Sequence, residues 1–163
     1  MSPVNGAVST LSVSCSDGKM RMLVATDGSP HALKAAEMAA RLARDLRETE
    51  VMLVNVGYFP PIAMGSVGLD AVFDLGDLEE SMQQAGQAIL DQTMHAFDGL
   101  DIRVTRVYRR GDLVGEILKT ADEHKADLII MGCRGLGQVG GLILGSVTER
   151  VLHGARPPVL IVR

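Results

Sequence analysis

Short apolar runs alternate with amphipathic helical patterns along the chain from residue 20 onward. This alternation is typical of repeated strand–helix units that build a parallel β-sheet. Five strands are predicted, at residues 21–26, 51–56, 102–108, 127–131 and 159–162. Residues 1–19 are small and polar with little periodicity, so a flexible N-terminal tail is expected before a single domain of residues 20–163.

Four helices are predicted between these strands, each from apolar residues at helical spacing. Ser29 and Pro30 supply an N-cap and a first-turn proline for the first helix, and the last helix is expected from Ser146 to near Gly154. The predicted apolar faces are Ala32, Ala35, Ala36, Ala39 and Leu46 in the first helix, Leu78, Met82, Ala85 and Ile89 in the second, and Val114, Ile117, Leu118 and Ala121 in the third. Residues 57–76 are expected to form an ordinary variable connection rather than a lid.

The polarity of the strands predicts their order. The third strand alternates arginine and threonine with valine, as expected for a half-solvated edge, and Arg106, Arg109 and Arg110 are interpreted as part of that solvated edge. Right-handed connections place the first strand centrally and give the order 3-2-1-4-5. We therefore predict an α/β fold, a single three-layer domain with a five-stranded parallel sheet and helices on both faces. Ligands are expected at the carboxyl ends of strands one and four.

Composition and charge narrow the class of protein. The chain has 163 residues and a net charge of -4, so it has no general attraction for nucleic acid. Its aromatic residues are two Tyr and three Phe, which offer no stacking platform for bases. Cys15 and Cys133 form no metal-ligand spacing, and no apolar stretch has the length of a membrane span. A cytoplasmic protein without a nucleic-acid or membrane partner is therefore expected.

A glycine-rich segment follows the fourth predicted strand. Gly132-Cys-Arg-Gly135 is followed by nine residues and then by Gly145-Ser146, which opens the last helix. Unpaired amides at the start of a helix attract anions, and glycines let a phosphate approach the backbone closely. The segment therefore predicts a site for the phosphates of a nucleotide.

Two common nucleotide motifs can be fitted to the same segment, and each lacks its required context. Residues 135–140 match GxGxxG, but no acidic residue follows Glu149 and no second mononucleotide half follows, which argues against NAD or FAD. Residues 140–146 approach a P-loop, but Ser146 stands where the lysine belongs and no lysine follows Lys125. A kinase-like or motor-like P-loop is therefore not expected.

The remaining pattern combines the ends of two strands. It consists of Gly132-x2-Gly135-x9-Gly145-Ser146, of Thr26-Asp27-Gly28-Ser29 after strand one, and of Pro158-Val-Leu-Ile-Val162 at the last strand. Over residues 20–163 this pattern resembles the universal stress protein family, and specifically its ATP-binding branch. Cys133 stands where the family often has a serine, and Arg156-Pro157 replaces a common cysteine-containing approach to the last strand. Neither change removes a phosphate-binding amide.

The resemblance implies a nucleotide site and a homodimer. The adenine would rest against Ala25, Thr26, Asp27 and Val56, and the ribose and phosphates would be held by Gly132, Arg134, Gly135, Gly145, Ser146, Val147 and Thr148. The last strand would pair with its copy through Val159, Leu160, Ile161 and Val162, which covers an apolar sheet edge. The implied function is a cytoplasmic, ATP-binding regulator that responds to nucleotide in stress adaptation.

Several of these residues allow a second interpretation. Asp27 could ligate Mg²⁺ carried by the nucleotide or accept from a ribose hydroxyl, or it could shape the turn together with Ser29. Ser146 and Thr148 could donate to phosphate or cap the last helix, and Cys133 could be a redox-sensitive thiol or a small buried filler. The alternative function is a slow ATPase or an autophosphorylating enzyme, although the sequence supplies no Walker lysine and no evident base beyond Asp27.

Overall fold

The computed structural model describes residues 18–46, 48–58, 75–135 and 144–163. The five strands are β1 (Met20–Ala25), β2 (Thr49–Gly57), β3 (Arg103–Arg110), β4 (Leu128–Gly132) and β5 (Val159–Val162). The helices are α1 (Pro30–Asp45), α2 (Leu75–Met94), α3 (Leu113–Glu123) and α4 (Ser146–Gly154), with a 3-10 turn at His95–Phe97. None of these described helices is both long and apolar enough to cross a membrane. Most of the predicted tail and of the predicted 57–76 connection lies outside the described residues.

All five strands are parallel and lie side by side in the order β3-β2-β1-β4-β5. Ala25 at the end of β1 pairs with Val54 of β2 and with Met131 of β4, and Gly132 pairs with Val162. The carboxyl ends of the three central strands therefore meet at one edge of the sheet. The predicted α/β fold, with order 3-2-1-4-5 and helices on both faces, is confirmed, and β3 and β5 are its two edge strands.

The sheet separates two hydrophobic clusters because successive residues of a strand point to opposite faces. In the central strand β1, Met22 and Val24 pack on the side of α1 and α2. Leu23 and Ala25 pack on the side of α3 and α4. All four side chains are buried, which explains why β1 is a continuous apolar run rather than an alternating one.

Helix α1 presents small residues to the sheet. Its buried residues are all alanines, namely Ala32, Ala35, Ala36, Ala39, Ala40 and Ala43. The predicted cap is present, because the Ser29 side chain accepts from the Ala32 amide and Pro30 is the first helical residue. The prediction for Leu46 is wrong: the helix ends before it, the backbone there is extended, and its side chain is 41% exposed.

The apolar face predicted for α2 is displaced by about one residue. Leu78 and Ala85 are exposed, Met82 and Ile89 are half-buried, and the buried positions are Gly86, Leu90 and Thr93. Gly86 lies where a Cβ would overlap with the Tyr108 ring of β3, so a glycine lets the helix pack this closely. Glycine and threonine carry no hydrophobic signal, and the apolar periodicity therefore predicts a face rotated by about one residue from the buried one.

The arginines near the β3 edge form ion pairs. The pairs are Arg106 with Asp91, Arg109 with Glu123, and Arg110 with Glu79. Each acid comes from a neighbouring helix, so the positive charge of this edge is balanced locally. This arrangement supports the interpretation of these arginines as a solvated strand edge rather than a ligand site.

Candidate functional site

A cleft of about 380 Å³ opens where the carboxyl ends of β1 and β4 diverge. This is the point at which the chain order of the sheet reverses, where open α/β sheets place their ligands. Its volume lies within the range of small-molecule pockets, roughly 300–1,000 Å³. All the site residues predicted from the sequence line it, namely Ala25, Thr26, Asp27, Val56, Gly132, Arg134, Gly135, Gly145, Ser146, Val147 and Thr148. Their contact with a ligand stays a prediction.

The cleft also has lining residues that the sequence did not identify. They are Ala32, Val54, Asn55, Leu113, Ile117 and Met131. Five of the six are apolar and cannot be told from core residues by their spacing. Asn55 could have been identified from the sequence, because it is a polar residue within the apolar run of β2. In the structure it is only 6% exposed.

Helix α4 begins at the cleft without a side-chain cap. Gly145 is its N-cap residue, with extended backbone and no side-chain hydrogen bond. The hydroxyl of Thr148, considered for capping, instead donates to the Gly132 carbonyl at 3.0 Å. The capping interpretation of Ser146 and Thr148 is therefore wrong. Within the described part of the chain, no acceptor is found for the amides of Ser146, Val147 and Thr148.

The turn after β1 forms the opposite wall. Asp27 accepts the Ser29 amide through Oδ1 at 3.0 Å, so the carboxylate does shape this turn. Gly28 adopts φ +76°, a left-handed conformation that glycine tolerates best. A Cβ on Gly135 would overlap with the second carboxylate oxygen of Asp27. The strand-one turn and the glycine segment, distant in sequence, therefore approach each other across the cleft.

A close contact between backbones joins the two walls. A Cβ on Gly132 would lie 2.7 Å from the His31 carbonyl carbon and 2.9 Å from the Ala32 nitrogen. The Ser29 hydroxyl lies 3.4 Å from the Arg134 carbonyl, to which it donates. Glycine at position 132 thus lets the start of α1 rest directly on the end of β4.

The charged residues among the described lining are Asp27 and Arg134. The carboxylate of Asp27 is a suitable oxygen ligand for Mg²⁺, which is commonly held by one or two carboxylates together with phosphate oxygens. The donors along the cleft are mostly main-chain amides, and Arg134 is an exposed residue of its lining. Cys133, next to this arginine, is 4% exposed, which supports its interpretation as a buried filler.

Fold and cleft together define an α/β protein with a crevice at the switch point of its sheet. Residues 19–163 match the model of the Universal stress protein family. The chain is 32% identical to universal stress protein MJ0531 of Methanocaldococcus jannaschii over 143 residues, which is 88% of this chain and 81% of that protein. It therefore belongs to the universal stress protein family.

Solved structures share the fold over most of their length. The Methanocaldococcus jannaschii protein MJ0577, a test case of structural genomics, aligns with a TM-score of 0.76 at 26% identity, covering 88% of this chain and 94% of that one. A universal stress protein crystallised in complex with cAMP aligns with a TM-score of 0.60 at 27% identity, covering 88% and 97%.

Proposed function

We propose that the protein binds an adenine nucleotide, ATP above all, in the cleft between the ends of β1 and β4. The observation that carries this proposal is the start of α4, which has no side-chain cap and whose first residues line a cleft that also has an aliphatic wall from β2 and α3. A related protein forms a complex with cAMP, which supports an adenine nucleotide as the ligand class.

The phosphates would lie against the glycine segment and the start of α4. The amides of Ser146, Val147 and Thr148 supply three donors, and the absence of side chains at Gly135 and Gly145 keeps the approach unobstructed. Such a helix start stabilises each negative group by roughly 0.3–2 kcal/mol. Arg134 at the rim adds a charged donor. Gly132 lies on the cleft wall where the end of β4 contacts the start of α1.

The adenine would occupy the apolar part of the cleft. Val54 and Val56 come from β2, and Leu113 and Ile117 from α3, so a planar ring would be enclosed by aliphatic side chains from two layers. Ala25, Thr26 and Asp27 lie where the base and the ribose meet the strand-one turn. Burial of an aromatic ring against such surface is favourable by about 25 cal/mol per Å².

Asp27 would take a cation that arrives with the nucleotide. The Ser29 amide donates to one of its oxygens, and the other lies near Gly135, in the segment against which the phosphates would lie. This geometry is compatible with a Mg²⁺ ion shared between the carboxylate and phosphate oxygens. It is equally suited to a ribose hydroxyl in a metal-free complex.

Binding is proposed in preference to turnover. No lysine is found among the described residues that line the cleft. Ser146 and Thr148 supply the hydroxyls at the start of α4, and Thr148 is 3% exposed and already donates to a backbone carbonyl. A slow ATPase or an autophosphorylating enzyme stays the alternative, with exposed Ser146 as the more accessible hydroxyl. A cytoplasmic regulator that reports nucleotide levels during stress is the role we propose.

A homodimer is part of the same proposal. Strand β5 forms one edge of the sheet, and Val159, Leu160 and Ile161 in it are half-buried rather than covered. Antiparallel pairing with a second copy would satisfy the outer backbone groups of this strand and bury its side chains. Sedimentation velocity of the dilute protein should show a dimer, and a single monomeric species would refute this part of the proposal.

The binding proposal is tested by titration of nucleotide-stripped protein with ATP, AMP, cAMP and adenosine in a calorimeter. We expect saturable binding of ATP with one site per chain, and weaker binding of adenosine because it lacks the phosphates. Adding Mg²⁺ should strengthen ATP binding if Asp27 shares the ion. No uptake of any of these compounds at millimolar concentration would refute the proposed function.

A further inference from the structure

Three buried polar side chains meet at the turn that follows β1. Thr26 is 5% exposed, Asn55 of β2 is 6% exposed, and Thr93 of α2 is fully buried. The Thr26 and Thr93 hydroxyl oxygens lie 3.0 Å apart, and the Asn55 side-chain amide donates to the Thr26 carbonyl at 2.8 Å. Thr93 does not line the cleft. The role of Thr93 is therefore inferred from its hydrogen bonds.

The direction of the hydrogen bonds follows from counting protons. Each hydroxyl has one proton to donate and lone pairs to accept with. Thr93 donates to the Ile89 carbonyl at 2.8 Å, so the proton between the two threonines must come from Thr26. The Thr26 oxygen in turn accepts the Gly28 amide at 3.3 Å. A continuous chain thus runs from the Gly28 amide through both hydroxyls to the backbone of α2.

The same turn of α2 also packs against this loop. A Cβ on Gly28 would lie 3.3 Å from Cγ1 of Ile89, so the left-handed glycine rests against the residue whose carbonyl ends the hydrogen-bond chain. The helix therefore holds the loop at two points, by packing at Ile89 and by hydrogen bonding at Thr93. A residue larger than glycine at position 28 would both strain the backbone and push on this contact.

Asp27 stands between the two anchored residues Thr26 and Gly28. We infer that Thr93 is a positioning residue of the nucleotide site, which acts through Thr26 and Gly28 to hold the Asp27 carboxylate at the cleft. This inference rests on the proposed nucleotide binding. Without the Thr93 hydroxyl, the buried Thr26 hydroxyl loses its acceptor, and the turn relaxes to find another.

Helix α3 contains a matched control for this position. Thr120 is also fully buried, and its hydroxyl donates to the Glu116 carbonyl four residues earlier at 2.6 Å. Thr93 makes the equivalent bond to Ile89 and, in addition, accepts from Thr26. Replacing either threonine by valine keeps the side-chain shape and removes one local bond. Only the change at position 93 breaks a bond to the strand-one turn.

The experiment compares Thr93→Val, Thr93→Ser and Thr120→Val in the full chain. In Thr93→Val, we expect hydrogen exchange of the Gly28 and Ser29 amides, measured without nucleotide, to accelerate about tenfold, and ATP affinity to fall about fivefold. Thr93→Ser keeps the hydroxyl and should restore both. Thr120→Val should lose a similar amount of stability in urea while leaving both readouts unchanged.

Two results would overturn the inference in distinguishable ways. If Thr93→Val lost stability as Thr120→Val does, yet kept wild-type ATP affinity and wild-type exchange at Gly28, the positioning role would be refuted and the nucleotide site would stand. If the wild-type protein itself took up no nucleotide, the proposed function would fail and the positioning role with it. Faster exchange together with weaker binding, rescued by serine, supports the inference.

Discussion

Helices α1 and α4 begin on opposite sides of one cleft, and they satisfy their first amides differently. At α1, the Ser29 side chain accepts from the Ala32 amide, and Pro30, which has no N–H, occupies the first helical position. At α4, Gly145 offers no side-chain acceptor. The start of α1 is therefore capped by a side chain of its own sequence, whereas the start of α4 has no side-chain cap.

Helix α3 begins as α1 does, with a capping side chain. Its N-cap, Asp112, accepts the Gly115 amide at 2.8 Å, so the described starts of α1 and α3 both have a capping side chain. A Ser or Asp cap typically stabilises a helix by about 1 kcal/mol. The start of α4 lacks this contribution, which is the kind of local loss of stability that functional sites show.

The largest effect is expected where the start of α1 rests on the end of β4. In Gly132→Ala, the added Cβ would lie within 3 Å of the backbone at His31 and Ala32, which cannot rotate away as a side chain can. We expect a loss of about 3 kcal/mol of unfolding free energy, measured in urea. ATP binding should be lost with it because the walls of the cleft separate.

Gly145→Ala is the control for that substitution. Its Cβ would meet its nearest neighbour, the Arg134 Cα, at 3.4 Å, which is an ordinary contact. The cost should be about 1 kcal/mol or less. If Gly132→Ala and Gly145→Ala lost equal unfolding free energy, the backbone contact at Gly132 would not be what holds the start of α1 against β4.

Gly145→Ser is expected to have a smaller effect, in which stability rises while ATP affinity falls. The new hydroxyl oxygen would cap α4 by accepting from the amide of Val147 or Thr148, as Ser29 does in α1. Stability should rise by about 0.5 kcal/mol, and ATP affinity should fall about tenfold because the cap competes with phosphate for the same amides. Thermal unfolding and calorimetry measure the two quantities. A stabilised variant with wild-type ATP affinity would contradict the assignment.

The sequence predicted the sheet order and the location of the cleft because both depend on strongly patterned features. Apolar runs mark the strands, and Asp27 and the glycine segment carry chemistry that a core position does not require. The apolar wall was not predictable, since Leu113 and Ile117 have the spacing of core residues. The start of α4 at Ser146 was predicted correctly, but Gly145 was not identified as its N-cap because glycine has no side-chain acceptor.

Helix α2 was the hardest element to predict from sequence. Its contact with the sheet depends on Gly86, which makes room for Tyr108, and on Thr93, whose value lies in a hydrogen bond to a residue distant in sequence. Neither residue type contributes to the hydrophobic periodicity that predicts the buried face of a helix. Their roles depend on contacts with distant parts of the chain, Gly86 with Tyr108 of β3 and Thr93 with Thr26.

The central claim is that main-chain amides at the start of α4 hold the phosphates. Ser146→Pro removes one of these amides, and Ser146→Ala removes only the hydroxyl. Proline fits the first helical position, and the extended ψ of 149° at Gly145 is compatible with a following proline. Both variants should therefore fold, and their comparison isolates a single N–H group.

The most direct measurement is the ratio of ATP affinity to adenosine affinity in these two variants, by calorimetry. We expect Ser146→Pro to lower this ratio about fivefold relative to Ser146→Ala, because one donor to the phosphates is gone and the adenine contacts are unchanged. An identical ratio in the two folded variants would contradict the claim that the α4 amides grip the phosphates.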